Sequence, residues 1–359
     1  MTQTIDETKL DETRVEELMG QLVGHMTGAA LCFGIWLGDE LGLYTTLTDL
    51  GPATADDLAD RVGCNRRLVR EWLDGQVAGG LLTWDADTDR YGITPEATMA
   101  LADDESPVFV ARAMNAIGSV FIDLPKITEA FRGDGGLSWG DHHQCLFSGT
   151  EWFFRTGYRA ELPNWIAALD GVSETLANGG TVADVGCGHG ASAVVLAQQF
   201  PSARITGFDF HQPSIDTARE RADEAGVADR VTFERADAKS YSGSYDLICF
   251  FDCLHDMGDP VGIAEYAREH LEDGGTVLLV EPFAVDGRAD NIDGNPMAAM
   301  LYTVSSAICT PNSLSQDVGL GLGAQAGEAR LREVFEAAGF TQFRRAAETP
   351  LNLILEAKR

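Results

Sequence analysis

One stretch, VADVGCGHGASAVVLA at residues 182–197, limits what this 359-residue chain can fold into more than any other. Val182 to Val185 read as a short buried strand, Gly186 to Gly190 as a tight loop, and Ala191 onward as a helix with Val194, Val195 and Ala197 on its inner face. Glycine at the alternate positions 186, 188 and 190 lets the backbone turn sharply and approach a ligand that a Cβ would hold off. A strand, glycine loop and helix in this order bind something small. The ligand's identity stays open at this point, because Gly186, Gly188 and Ala191 also satisfy the G-x-G-x-x-G/A pattern of dinucleotide-binding folds.

Downstream, strand and helix alternate. Strands are predicted at 181–185, 204–209, 230–235, 245–251 and 276–281, and helices at about 191–200, 212–225 and 260–271. Such alternation builds a parallel sheet with helices on both faces. After a helix over 328–338, TQFRRAAE and LNLILEAKR read as two strands joined at Thr349-Pro350. Asp184 precedes the first glycine, Asp209 ends the second strand where a carboxylate can accept from a ribose diol, and Asp237 follows the third strand beside the same crevice.

This series of acidic strand ends, with the closing hairpin, resembles the class I S-adenosylmethionine-dependent methyltransferases. The resemblance implies that Gly186, Gly188 and Gly190 approach the methionine part of the cofactor, that Asp209 holds the ribose, and that Asp237 lies against the adenine amino group. Asp184 suits the ammonium, and Phe210, Ala238 and Asp252 go with them as cofactor-binding positions. The terminal antiparallel hairpin and Asp237 are what separate this reading from an NAD enzyme.

The N-terminal part has a different grammar. Val15 to Leu41 carries apolar residues at helical spacing, Val15, Leu18, Leu22, Met26, Leu31, Ile35 and Leu37, an excess that suggests a surface covered by another subunit. In residues 52–94, Thr54 with Asp57 forms a capping-box start, Gly63 closes that helix, and Asn65 caps a second running to about Ala78. Leu81–Trp84 and Arg90–Thr94 then read as strands around the acidic turn DADTD. Helix, turn, helix and hairpin make a winged helix. Arg66, Arg67 and Arg70 would face DNA in a repressor, but residues 1–100 hold 18 Asp+Glu against 7 Lys+Arg, a balance of −11 that repels a phosphate backbone. The order DELGLYTTL, winged helix, GLL resembles the dimerisation domain of plant-type small-molecule O-methyltransferases and their bacterial relatives.

Methyl transfer from a sulfonium needs a nucleophile held in line and, for a hydroxyl, a base to take its proton. DLICFFDCLHDMGDP, residues 246–260, sets a histidine a few positions after the fourth strand. Resemblance to the plant-type enzymes maps the general base and its neighbour onto His255 and Asp256, the carboxylate that orients the histidine onto Glu281, and a second such carboxylate onto Glu328. Phe251 and Met257 depart from that pattern, standing where many relatives have lysine and tryptophan. His142 and His143, in the loop-like GGLSWGDHHQ, read as a solvated pair, with a substrate contact as the alternative.

The expected organisation is a tail at 1–14, a winged-helix dimerisation domain at 15–104, a helical connector and substrate cap at 105–175, and a catalytic domain at 176–359. In fold class it is α/β: a Rossmann-like doubly wound sheet with a terminal antiparallel hairpin, behind a mainly helical winged-helix domain. The formal net charge of −30 with four lysines excludes nucleic acid and anionic membrane as expected partners. No run of about 20 apolar residues is evident; seven scattered cysteines without a C-x-x-C pair point to neither a disulfide framework nor a metal site. The expectation is a cytoplasmic, homodimeric S-adenosylmethionine-dependent methyltransferase for a small molecule, releasing S-adenosylhomocysteine. The alternatives are an NAD(P)-dependent oxidoreductase and a winged-helix regulator that binds S-adenosylmethionine without catalysis.

Overall fold

Asp11 opens the first element of the computed structural model, which describes residues 10–359. Its carboxylate accepts from the Thr13 N–H at 3.0 Å and starts the helix Glu12–Glu40. The helix therefore takes in the last residues of the expected tail, whose first nine lie outside the described residues. Along it Val15, Leu18, Met19, Leu22, Val23, Met26 and Phe33 are exposed. Only the C-terminal half is pinned, with the Trp72 indole N–H donating to the Gly34 carbonyl at 2.8 Å. By length and composition this helix could cross a membrane, which corrects the expectation that no segment approaches such a span. Gly20, Gly24 and Gly28 and the small Ala29 and Ala30 interrupt its large apolar side chains, so that they form no continuous run.

The chain divides into two compact units at Met114/Asn115. In the first, helices Leu43–Leu50, Ala55–Val62 and Arg66–Ala78 are followed by strands β1 (Thr83–Asp85) and β2 (Arg90–Gly92), paired antiparallel with Trp84 opposite Tyr91. Both bonds of the Thr54–Asp57 capping box are present, and Asn65 caps the second helix of the pair. The strands are shorter than expected. The N–H groups of Leu81 and Leu82 turn back to the Gln76 carbonyl, closing the preceding helix, and Thr94 caps the helix Pro95–Leu101. The arginines that would face DNA are spent on acids: Arg66 on Asp60 at 2.7 Å, Arg70 on Asp89 at 3.0 Å, and Arg67 on Glu71.

The second unit holds helices Leu124–Arg132, Gln144–Ala167 and Val172–Ala177, then a seven-stranded sheet. Its strands are β3 (Thr181–Val185), β4 (Arg204–Asp209), β5 (Val231–Arg235), β6 (Tyr245–Phe251), β7 (Leu271–Pro282), β8 (Gln342–Glu348) and β9 (Asn352–Lys358), in the order β5-β4-β3-β6-β7-β9-β8. The first five are mutually parallel, and β9 pairs antiparallel with both β7 and β8. Strand β7 begins earlier than expected because Leu271 pairs with Tyr245 before an irregularity in the ladder. Alternation along each strand feeds two cores: Val182, Leu247, Cys249, Leu278 and Val280 on one face, Ala183, Val185, Ile248, Phe250, Val277 and Leu279 on the other.

Candidate active site

Strand order reverses between β3 and β6, and ligands of open α/β sheets bind beyond the carboxyl ends of strands at such a point. The loop Gly186–Gly190 follows β3 there. Gly188 has φ +51° and open space where its Cβ would stand, whereas a Cβ on Gly190 would meet the Phe233 ring at 2.6 Å. The glycines thus divide the work: Gly188 leaves room for a ligand, while Gly190, like Gly186 against Cys253, allows the loop to pack on the protein.

Two acids flank the loop. Asp184 is fully buried; Ser192 donates to its Oδ2 at 2.5 Å, and its Oδ1 has no hydrogen-bond partner. Burial pushes its pKa up to about 7, against the pull of Ser192. Asp209 accepts from the Gly188 N–H at 2.9 Å and the His211 N–H at 2.8 Å, and burial raises its pKa too. An orphaned carboxylate oxygen inside the protein, a second buried carboxylate on the loop's own N–H, and an open face at Gly188 fit a ligand rich in hydrogen-bond donors, with an ammonium or a diol.

Across the switch point, beyond β6, Asp252 has φ +52° and is held by the Tyr158 hydroxyl at 3.0 Å and the Asn352 amide at 2.8 Å. Burial raises its pKa to about 8, with Glu281 adding to the effect. His255 follows in a short turn, only 4% exposed. Its Nδ1 is bonded to a Glu281 carboxylate oxygen, and its backbone N–H donates to the other at 3.2 Å. Burial pulls the imidazole pKa down, but the Glu281 charge and a hydrogen bond with the Cys309 thiol outweigh it, so the ring is held well above its ordinary value. Asp256 beside it is raised by burial to about 7. The helix Cys309–Leu314 closes this side, with the Asn312 amide donating to the Asp256 carbonyl at 3.1 Å.

Residues 176–339 match the family model of a methyltransferase domain, and residues 29–103 match that of an Rv2258c-like winged helix-turn-helix domain. The chain carries a methyltransferase domain behind a winged helix. A 27-O-demethylrifamycin SV methyltransferase from Amycolatopsis mediterranei is 33% identical over 104 residues, 28% of this chain and 38% of that protein. A ubiquinone biosynthesis O-methyltransferase from Pseudomonas paraeruginosa is 31% identical over 146 residues, 40% of this chain and 55% of that protein. The chain thus spans well under two thirds of the length of either relative. Human N-acetylserotonin methyltransferase, solved with S-adenosylmethionine, shares the fold over 99% of both chains at a TM-score of 0.69 and 18% identity.

Within the methyltransferase domain, not every expected residue reaches the crevice groups. Glu328 does not orient His255: its carboxylate is held by Arg332 and Arg345, each at 2.6 Å, because the helix Gly327–Ala337 turns it toward β8. Asp237 is exposed, with Oδ1 accepting from the Lys239 N–H at 3.0 Å, and Ala238 is half-buried. Phe210 is 44% exposed directly after Asp209. Two residues carry no signal in the sequence, and a third is placed differently from expectation. Cys309 lies 54 positions beyond His255 with no motif linking them. Glu151, on the helix Gln144–Ala167, accepts from His189 in the glycine loop and from Arg221, both at 2.9 Å. His142 is buried, not solvated; its side chain is 1% exposed.

Proposed function

We propose that the chain transfers a methyl group from S-adenosylmethionine to a hydroxyl of a small molecule, with His255 as general base. When bound, S-adenosylmethionine would supply an activated methyl group and leave as S-adenosylhomocysteine. The loop Gly186–Gly190 with Asp184 and Asp209 would hold it, and Phe210, Asp237, Ala238 and Asp252, which follow the carboxyl ends of β4, β5 and β6, are further candidates.

The observation carrying the base assignment is the buried His255–Glu281 pair beyond β6. Glu281 holds the proton on Nδ1, so that the ring, once deprotonated at its other nitrogen, presents Nε2 to take the proton of an incoming hydroxyl. Glu281 then stabilises the imidazolium that forms. Asp256, next in sequence and half-buried, adds negative potential beside the imidazole. A regulator that only senses the cofactor has no use for this pair; a dinucleotide enzyme could use it, and is set apart instead by the antiparallel strands β9 and β8 that close the sheet. Calorimetry should show S-adenosylmethionine or S-adenosylhomocysteine binding in the micromolar range and no NAD(H) binding; the reverse result would overturn the reading.

The exposed apolar residues of the helix Glu12–Glu40 support a homodimer in which a second copy covers Leu18, Leu22, Met26 and Phe33. The acidic composition and the paired arginines of the winged helix support a cytoplasmic protein that binds neither nucleic acid nor anionic membrane. A full-length chain that is a monomer by light scattering would remove the dimer from this proposal.

A further inference from the structure

His142 is a second imidazole held by a carboxylate. Its Nδ1 lies 3.2 Å from Asp123 Oδ2, both side chains being 1–2% exposed. The same carboxylate accepts from the His143 N–H at 2.6 Å and pairs with Lys126 at 3.0 Å. Burial alone would raise the pKa of Asp123, but these donors outweigh it and hold the group below its usual value. Asp123 is therefore an anion and can only accept, so the proton on the His142 ring sits at Nδ1. Burial keeps the imidazole below its ordinary pKa in spite of the Asp123 charge, so it is neutral. What remains is Nε2, a bare lone pair, buried and without a hydrogen-bond partner. Buried polar groups are nearly always satisfied, and one that is not calls for an occupant.

The position of His142 says which occupant. Its segment spans the two sides of the crevice. At one end the Leu137 N–H donates to the Pro311 carbonyl and the Trp139 N–H to Asn312 Oδ1, both at 2.9 Å, on the helix that carries Cys309 and abuts Asp256. At the other end the Phe147 ring packs on His211, centroids 4.9 Å apart, two residues beyond Asp209. Trp139 and Phe147 lie against each other at 5.4 Å between these anchors. His142 thus lies on a segment tied at one end to the helix beside Asp256 and at the other to His211 beside Asp209, with aromatic rings at both ties.

We propose that His142 binds the methyl acceptor, its Nε2 receiving a hydrogen bond from a second hydroxyl of a polyhydroxylated aromatic compound; this rests on the methyltransferase reading above. Asp123 is then a positioning residue that fixes the tautomer and the ring. The hydroxyl to be methylated goes to His255, and the second one selects the substrate.

The test uses the full-length protein saturated with S-adenosylhomocysteine and two probes that differ by one hydroxyl, 1,4-dihydroxy-2-naphthoate and 1-hydroxy-2-naphthoate, with binding followed by calorimetry. The wild type should bind the dihydroxy compound ~10-fold or more tightly than the monohydroxy one. His142→Phe keeps the shape and removes the lone pair; it should erase that preference while leaving monohydroxy and S-adenosylhomocysteine affinities unchanged. His142→Gln, whose amide oxygen can accept, should restore part of it. A wild type that binds neither naphthoate or shows no preference, or a His142→Phe protein that keeps the preference, would overturn the proposal. Loss of S-adenosylhomocysteine binding by the wild type would instead sink the methyltransferase reading itself.

Discussion

The two sides of the crevice are built on different principles. On the glycine-loop side, recognition is mostly backbone geometry: a loop that turns at Gly188, its N–H fixed on Asp209, and a carboxylate oxygen of Asp184 left unmatched inside. The groups proposed to bind a ligand there come from local sequence, since Asp184, the glycines and Ser192 lie within nine consecutive residues. On the other side, recognition is side-chain chemistry assembled across the chain. His255 leans on Glu281 from the next strand and Cys309 from a distant helix, to which the segment beginning near Leu137 is bonded. The contrast teaches that one fold can keep its donor site in a short contiguous stretch while leaving acceptor chemistry to segments free to vary.

If this division holds, substitutions should separate cleanly. His255→Ala is expected to lower kcat by ~100-fold or more with S-adenosylmethionine affinity almost unchanged. Because Glu281 holds the imidazole pKa well above its ordinary value, the base is protonated at neutral pH, and the wild-type rate should climb with pH past neutrality. A stopped-flow or steady-state pH profile that is flat in wild type would break the comparison from the chemical side. Asp209→Ala should do the opposite, weakening cofactor binding by ~1.5 to 3 kcal/mol for each hydrogen bond lost to a charged group, while single-turnover rates at saturating cofactor stay close to wild type.

A subtler measurement sharpens the donor side. With its pKa pushed to about 7 by burial, Asp184 is partly protonated at neutral pH, and a cationic ligand beside it should lower that pKa and drive a proton out. Calorimetry in buffers of different ionisation enthalpy should register release of up to roughly half a proton at pH 7 from this carboxyl, and none in Asp184→Asn. The smallest effect expected is that of Glu328→Gln. Its partners Arg332 and Arg345 are about a third exposed, so stability should change by about 1 kcal/mol or less, with kcat within about twofold of wild type. A large fall in kcat would return Glu328 to the catalytic group.

The same asymmetry explains what could be read in advance. The parallel strands, the closing hairpin and the caps at Thr54 and Asn65 follow from periodicity and local hydrogen bonding, which act over a few residues. Asp209 was legible because a strand end has only one direction to point. Glu328 was not: its place four residues before Arg332 on a helix, with Arg345 on the adjoining strand, decides its partner, and resemblance alone could not weigh that. The burial of His142 depends on Asp123, 19 residues upstream and beyond another helix, and no repeat or motif ties them.

Asp252 has one more consequence. Its unusual backbone angle is clamped from both directions along the chain, by Tyr158 of a helix made long before it and by Asn352 of strand β9, 100 positions after it. During synthesis the glycine loop has its packing partners Phe233 and Cys253 well before Asn352 emerges. The turn at Asp252 has both its clamps only when β9 lies between β7 and β8. A nascent chain therefore passes through an interval in which the glycine loop has its packing partners and Asp252 still lacks one of its two clamps.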